Sequence, residues 1–433
     1  MAVEGTRIIE RGWSALVRAW PLAVAVRLAV VGVLAFGPAT DEPSELAGWD
    51  AERFQVIAER DGAAWVDEPV EYPPGSVVIL DRLAGADVVE THRRLLVLSL
   101  ALDLAVAGLL ANRIGRTTGA AHLVLGLPLV PLGYQRLDTI VTAVAVVGAL
   151  ALLTATGGGR RPGRTGDPGS RGIELLAGVA LAVGALIKVW PAVLAVPAIA
   201  LRRWRAVATA VVVGATAGVG WLLTVGNGLE PVDQVLSLRG AVGWHVESLP
   251  GSLVALVSGE DARLELNAYR IGTLDPLLVT AGRVLAVAVM VALAVAGRRS
   301  VGRGADPVMT LGLTALGATG ALLATAPLLS PQFLVWTTPW VALLVAPGHG
   351  PAGRPTTAPG TAVRAGALAA VAGLLTGVTL TLFRPDGLTD TLPALLLVAR
   401  NVLLLAVPVV CLLALRAATS ARPAPTEPAP ATG

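Results

Sequence analysis

The chain has 433 residues, of which 54% are hydrophobic and only 15% charged. A soluble domain carries about 25% charged residues, so too few polar side chains exist here to cover a water-facing globule. The formal net charge is only +3 and the single cysteine is Cys411, which argues against a nucleic-acid partner and rules out an intrachain disulfide framework.

Long uncharged runs, rather than amphipathic spacing, make this an all-α polytopic membrane protein. Hydrophobic windows predict about twelve spans, at 21–37, 95–111, 119–133, 137–156, 173–187, 190–201, 206–225, 276–296, 308–327, 333–347, 365–383 and 393–415. The pair around Lys188 has two readings, because Pro191 and Pro197 can kink it into a tight hairpin or one long helix can replace it. Trp20, Trp204 and Trp221 stand at run ends, where an interfacial ring belongs. Arg7, Arg11 and Arg18 precede the first run, and no small-residue cleavage pattern follows it, so the start reads as an anchor and not a signal peptide.

Alternate loops collect arginine and almost no acid, among them Arg113 and Arg116, Arg160 to Arg171, Arg202 to Arg205, Arg298 to Arg303, and Arg416 with Arg422. The positive-inside rule then puts both termini on the cytoplasmic side and the acidic loops outside. Residues 157–172 read as a flexible Gly/Pro/Arg linker. One transmembrane domain over 1–415 is expected, with extracytoplasmic loops at 38–94 and 226–275 and a disordered cytoplasmic tail at 416–433. Loops of that length inside a compact protein are usually functional.

The polar motifs fall in those outer segments. Asp50, in Trp49-Asp50-Ala51-Glu52-Arg53-Phe54, can accept a proton from an acceptor hydroxyl, or it can cap a short helix over 50–60 with Phe54 and Ile57 on one side. Glu71-Tyr72-Pro73-Pro74-Gly75 reads as a stiff turn, with Glu71 and Tyr72 free to face a polar pocket. Lys188 is the only lysine, and an ammonium near membrane level either faces an anion in a cavity or snorkels to the headgroups. Arg136, in Gln135-Arg136-Leu137-Asp138, is a candidate phosphate ligand, whereas Asp138 reads as a helix start. In the second loop Trp244 can stack on a sugar while His245 and Glu247 bond its hydroxyls; a packed loop with a surface histidine is the plainer alternative. Gln332, in Ser330-Pro331-Gln332-Phe333, opens a span near the same face. No HExxH or GxxxxGK[ST] pattern occurs, and exposed acid pairs such as Asp41-Glu42 rarely hold a divalent ion, so no resident cofactor is expected.

At these residues the chain resembles bacterial glycosyltransferases of the GT-C superfamily, and most of all family 87, the polyprenyl-phosphate-mannose-dependent mannosyltransferases. The resemblance is carried by Asp50, Glu71-Tyr72-Pro73-Pro74, Lys188-x-x-Pro191 followed by Arg202-Arg203-Trp204-Arg205, Glu247-Ser248-Leu249, and Ser330-Pro331-Gln332-Phe333-Leu334-Val335-Trp336. It implies a GT-C-like bundle that transfers a sugar, typically mannose, from a polyprenyl-phosphate donor to a lipid or glycan acceptor. It also implies Asp50 as the base, an inverted anomeric centre, and Lys188 or Arg136 on the departing phosphate. The competing class is a flippase or solute carrier, which normally shows internal repeats and polar groups at the bilayer midplane. No repeat is evident, and Arg27 and Asp103 are the main charges within the predicted spans.

Overall fold

The computed structural model describes residues 2–37, 48–155, 168–236, 241–265, 268–345, 348–349, 355–356, 360–383 and 387–420. The Asp41-Glu42 pair, most of the 157–172 linker and residues 421–433 of the tail lie outside them.

In chain order, α1 (Ala2–Phe36) leads to α2 (Gly48–Ala58) and α3 (Pro74–Leu83), and α4 (Val88–Arg113) returns through the bundle. A broken stretch follows, with α5 (Arg116–Leu125), a 3-10 turn and α6 (Val130–Gly133), and then α7 (Asp138–Ala155). After α8 (Pro168–Ile187) come a second 3-10 turn at Trp190–Leu194, α9 (Ala195–Ala200) and α10 (Trp204–Val225). The next loop holds α11 (Glu230–Leu236), β1 (Trp244–His245), α12 (Leu249–Ser258), β2 (Arg263–Glu265) and β3 (Ala268–Ile271). The last part comprises α13 (Pro276–Gly302), α14 (Pro307–Thr325), a 3-10 run at Pro331–Thr337, α15 (Thr338–Val345), the short pair β4 (Gly348–His349) and β5 (Pro355–Thr356), α16 (Gly360–Leu382) and α17 (Thr391–Ser420).

Among the described residues nine helices are long and apolar enough to cross a bilayer: α1, α4, α7, α8, α10, α13, α14, α16 and α17. The chain is therefore a multi-pass α-helical membrane protein. The three expected spans at 119–133, 190–201 and 333–347 are instead broken into short helical pieces. The cause is proline, at Pro128 and Pro131, Pro191 and Pro197, and Pro331 and Pro339, since each removes an amide donor and clashes with the preceding turn. The eleven residues Trp190–Ala200 reach only about 17 Å at 1.5 Å per residue, short of a roughly 30 Å hydrocarbon layer. Irregular backbone at that depth survives only when enclosed by protein or lining a cavity. Trp190, Leu194, Ala198 and Ala200 are accordingly buried.

The centre of the bundle is α7 and α14, whereas α10 and α13 lie outside and turn residues such as Val211, Val212 and Leu223 outward. Small residues let helices approach closely: a Cβ at Gly178 of α8 would meet the Ala206 carbonyl of α10 at 2.5 Å. Arg27 of α1 and Asp103 of α4 find one another. Arg27 Nε bonds Asp103 Oδ2 at 2.8 Å, His122 Nε2 lies 2.7 Å from Oδ1, and the Tyr134 hydroxyl donates to Oδ2 at 2.6 Å. This network fastens the broken α5–α6 stretch to α1 and α4, one residue before Gln135-Arg136.

Helix boundaries differ from expectation at several places, α4 and α17 among them. α4 begins at Val88, where Asp87 Oδ1 accepts from the Glu90 amide (2.7 Å) and Glu90 Oε2 accepts from the Ala86 amide (2.6 Å), close to a capping box. α17 continues to Ser420, so the first residues assigned to the tail are helical.

Candidate active site

Two long loops fold together over one end of the bundle. Gln234 of α11 donates to the Trp65 carbonyl at 3.1 Å and accepts from the Val70 amide at 3.1 Å. Trp65 also packs edge-on against Trp221, with centroids 5.0 Å apart. Beneath them lies a cavity of about 670 Å3.

Asp50 sits inside the first turn of α2, not ahead of it, which sets aside its role as a helix cap. α2 forms as expected, with Phe54 and Ile57 buried, and this anchored face directs Asp50 and Arg53, one turn apart, to the cavity. Arg136 Nη1 pairs with Asp50 Oδ2. Arg53 holds Glu68 at 2.7 Å, Glu71 Oε2 at 3.2 Å and the Pro69 carbonyl. Burial and the neighbouring Asp50 charge push the Tyr72 phenol up, so it stays protonated and able to donate.

The double proline has a defined job. Pro73 is the N-cap of α3 and Pro74 its first residue, where a missing amide costs nothing. The helix then docks on the break after α8: Ser76 Oγ donates to the Ile187 carbonyl at 2.5 Å. A Cβ at Gly75 would lie 2.7 Å from the Leu186 carbonyl oxygen, so this position takes glycine for close approach. Gly75→Val is expected to displace the Lys188 segment and cut initial turnover at least tenfold without loss of membrane insertion. Parallel assays of activity and of monodisperse protein yield check this.

Lys188 faces the cavity but already has an anion. Its Nζ lies 2.8 and 2.9 Å from the two Asp138 oxygens, and the ammonium sits 4.6 Å from the Phe333 ring centre and 5.4 Å from that of Trp336. Asp138, which the sequence reading treats as a helix start, is buried and also accepts from Trp336 Nε1 at 2.6 Å. Lys188 thus meets an anion inside the cavity instead of snorkelling, and with Asp138 it ties α7, the break after α8 and the Pro331–Thr337 run together. Trp190 and Phe333 both stack on Trp336, with centroids 4.8 and 4.4 Å away, forming an aromatic wall along the cavity.

In the second loop β1 pairs antiparallel with β3, and β3 with β2. Trp244 is buried in β1 opposite Ile271 and is not among the cavity-lining residues, so it cannot stack on a sugar as expected. His245 and Glu247 do line the cavity. Glu247 is held by Arg400 of α17, whose Nη1 lies 2.7 Å from Oε2 and whose Nη2 bonds the Glu247 carbonyl; Asn401 adds a bond to the same carbonyl at 3.0 Å. Arg400 escapes the sequence reading because its partner is 153 positions away. Gln332 is buried at the cavity wall, its Oε1 accepting from Ser330 Oγ at 2.6 Å.

Burial first, then the Arg270 and Arg400 charges, pushes the His245 imidazole from 6.5 down to about 3. It is therefore neutral, its Nδ1 accepting from the Glu247 amide at 3.2 Å and Nε2 carrying the proton. Between those two values the unfolded chain binds a proton that the folded chain refuses, so stability falls as pH drops below 6.5. Replacing His245 by Gln is expected to flatten that part of a thermal-stability profile between about pH 6.5 and 4.

Eight of the nine candidate side chains thus meet in one cavity: Asp50, Glu71, Tyr72, Arg136, Lys188, His245, Glu247 and Gln332. The described residues form a multi-pass helical bundle with a charged, aromatic-walled cavity at one end. The sequence model of glycosyltransferase family 87 matches residues 71–331, more than half of the chain. The chain belongs to glycosyltransferase family 87, within the GT-C superfamily, and is a glycosyltransferase. Asp50 lies ahead of the matched region and Gln332 just after it. No curated protein and no solved structure matches the chain.

Proposed function

We propose that the protein transfers a sugar, mannose in the first instance, from a polyprenyl-phosphate donor to a hydroxyl of a lipid or glycan acceptor. The reaction takes place on the extracytoplasmic face of a bacterial cytoplasmic membrane, with both termini in the cytoplasm. The observation that supports this reading is the Asp50 carboxylate, paired to Arg136 in a cavity that combines polar side chains from the loops with apolar ones from the spans. The arginine-rich ends of α4, α9–α10 and α13 supply the positive-inside signal for this orientation.

In this mechanism Asp50 Oδ1 takes the proton from the acceptor hydroxyl as its oxygen bonds the anomeric carbon. The bond from that carbon to the phosphate oxygen breaks, and the electron pair leaves with polyprenyl phosphate. Attack opposite the leaving group inverts the anomeric centre. Arg136 stabilises the charge growing on the phosphate, while the Lys188–Asp138 pair holds the frame. Tyr72, His245 and Gln332 offer neutral donors to sugar hydroxyls, and Glu71 and Glu247 offer acceptors. The donor is a substrate, and no resident cofactor enters the scheme.

The test is to incubate purified protein in liposomes with radiolabelled polyprenyl-phosphate-mannose and a membrane lipid extract. A new labelled lipid or glycan is expected. Movement of label across the bilayer without a new bond would favour a carrier instead.

A further inference from the structure

Four polar side chains with no part in the transfer scheme are buried among the spans: Arg27, Asp103, His122 and Tyr134, each no more than 7% exposed. Ionisable groups at that depth are costly and are kept where they serve a function, and a buried ion pair is itself weak evidence of stabilisation. The helices concerned have apolar contacts of their own. Ala23 of α1, Ala107 of α4 and Leu123 of α5 share one cluster, and a Cβ at Gly119 of α5 would lie 2.5 Å from the Ala107 carbonyl oxygen.

What the polar network adds is direction. Asp103 holds the chain twice: His122, in the last turn of α5, lies 2.7 Å from Oδ1, and the Tyr134 hydroxyl donates to Oδ2 at 2.6 Å. Arg27 donates to the same carboxylate from Nε at 2.8 Å and to the Leu123 carbonyl from Nη1 at 2.5 Å. Pro128 and Pro131 break the helix between His122 and Tyr134, so no continuous ladder of backbone bonds fixes one to the other. The carboxylate does so instead. Tyr134 is the C-cap of α6, and Arg136 follows two residues later. Two residues beyond that, Asp138 is held by Lys188 and Trp336. Two residues of chain reach at most about 7 Å, so Arg136 hangs between two anchored points with little freedom.

We propose that Asp103, acting through Tyr134, positions Arg136 against Asp50 for transfer. Both are positioning residues, since neither is among those lining the cavity. This rests on the sugar-transfer reading, in which Arg136 stabilises the charge growing on the phosphate.

The test is Tyr134→Phe, which removes one hydroxyl and keeps the ring that packs with Val31, Leu96 and Val130. Turnover by the full-length protein in liposomes is expected to fall at least tenfold, since a shift of about 1 Å in a catalytic group can cost about a hundredfold. The loss should appear in kcat and not in the donor KM, because Arg136 acts on charge that develops in the transition state. Arg136→Gln alone should also lower turnover, and adding Tyr134→Phe to it should lower turnover no further. Losses that multiply, an unchanged kcat in Tyr134→Phe, or a collapse of its thermal midpoint would each overturn the proposal. A cryo-EM map of Tyr134→Phe is expected to show Arg136 displaced from Asp50, and an intact Arg136–Asp50 pair contradicts the assignment. Because the map needs no turnover, wild-type protein that transfers no sugar would sink the reaction scheme while leaving the positioning claim to be judged by the map.

Discussion

Asp50→Asn is expected to leave the protein folded and inserted but to lower transfer by about a hundred- to ten-thousandfold, the usual contribution of a positioned general base. The amide keeps the shape of the side chain and an oxygen for Arg136, but it cannot take a proton from the acceptor. Asp50 lies at the start of α2, whose packing rests on the buried Phe54 and Ile57, so stability should move little. Asp50→Glu keeps the charge but lengthens the arm, and a partial loss is expected. Turnover, thermal midpoint and donor affinity measured on the same preparations distinguish lost chemistry from lost binding. Near-normal turnover in Asp50→Asn would remove Asp50 as the base.

The second large effect concerns the frame. Asp138→Ala leaves the Lys188 ammonium facing Phe333 and Trp336 without its counter-charge, and it also deprives Trp336 Nε1 of its acceptor. Breaking a buried pair from one side costs on the order of 3 kcal/mol. A lower thermal midpoint and loss of activity are therefore expected together. Removing both charges at once, with Asp138→Leu and Lys188→Met, should recover much of the stability, because two apolar groups of similar size replace the pair. Activity should stay low, since the break after α8 would lose its register with α7. Full activity in the double variant would mean that the pair does not position the cavity.

Much of the architecture can be read from hydropathy alone, because a span is a local property of about twenty residues. What hydropathy cannot read is where a run breaks. The stretches at 119–133, 190–201 and 333–347 are apolar enough to suggest spans, yet prolines split each one, and these breaks supply Arg136, Lys188 and Gln332 to the cavity. The start of α4 was missed for a related reason: Glu90, His92, Arg93 and Arg94 lower the window's hydropathy, although the Asp87-x-x-Glu90 spacing signals a helix start.

The grouping of the candidate residues was legible from loop sidedness, since side chains at the same helix ends can only meet there. Their partners were not. Lys188 with Asp138, Glu247 with Arg400 and Asp50 with Arg136 are joined across 50, 153 and 86 positions, and no local pattern links such groups. Trp244 departs from expectation because an aromatic beside a histidine suits a sugar platform as well as a buried strand, and only its pairing with Ile271 decides.

The most direct measurement is a structure of the Asp50→Asn protein in lipid with polyprenyl-phosphate-mannose bound. The sugar's anomeric carbon should lie beside position 50, with the phosphate near Arg136. A donor seated elsewhere, or one whose anomeric carbon faces away from position 50 with the acceptor path blocked, would contradict sugar transfer in this cavity.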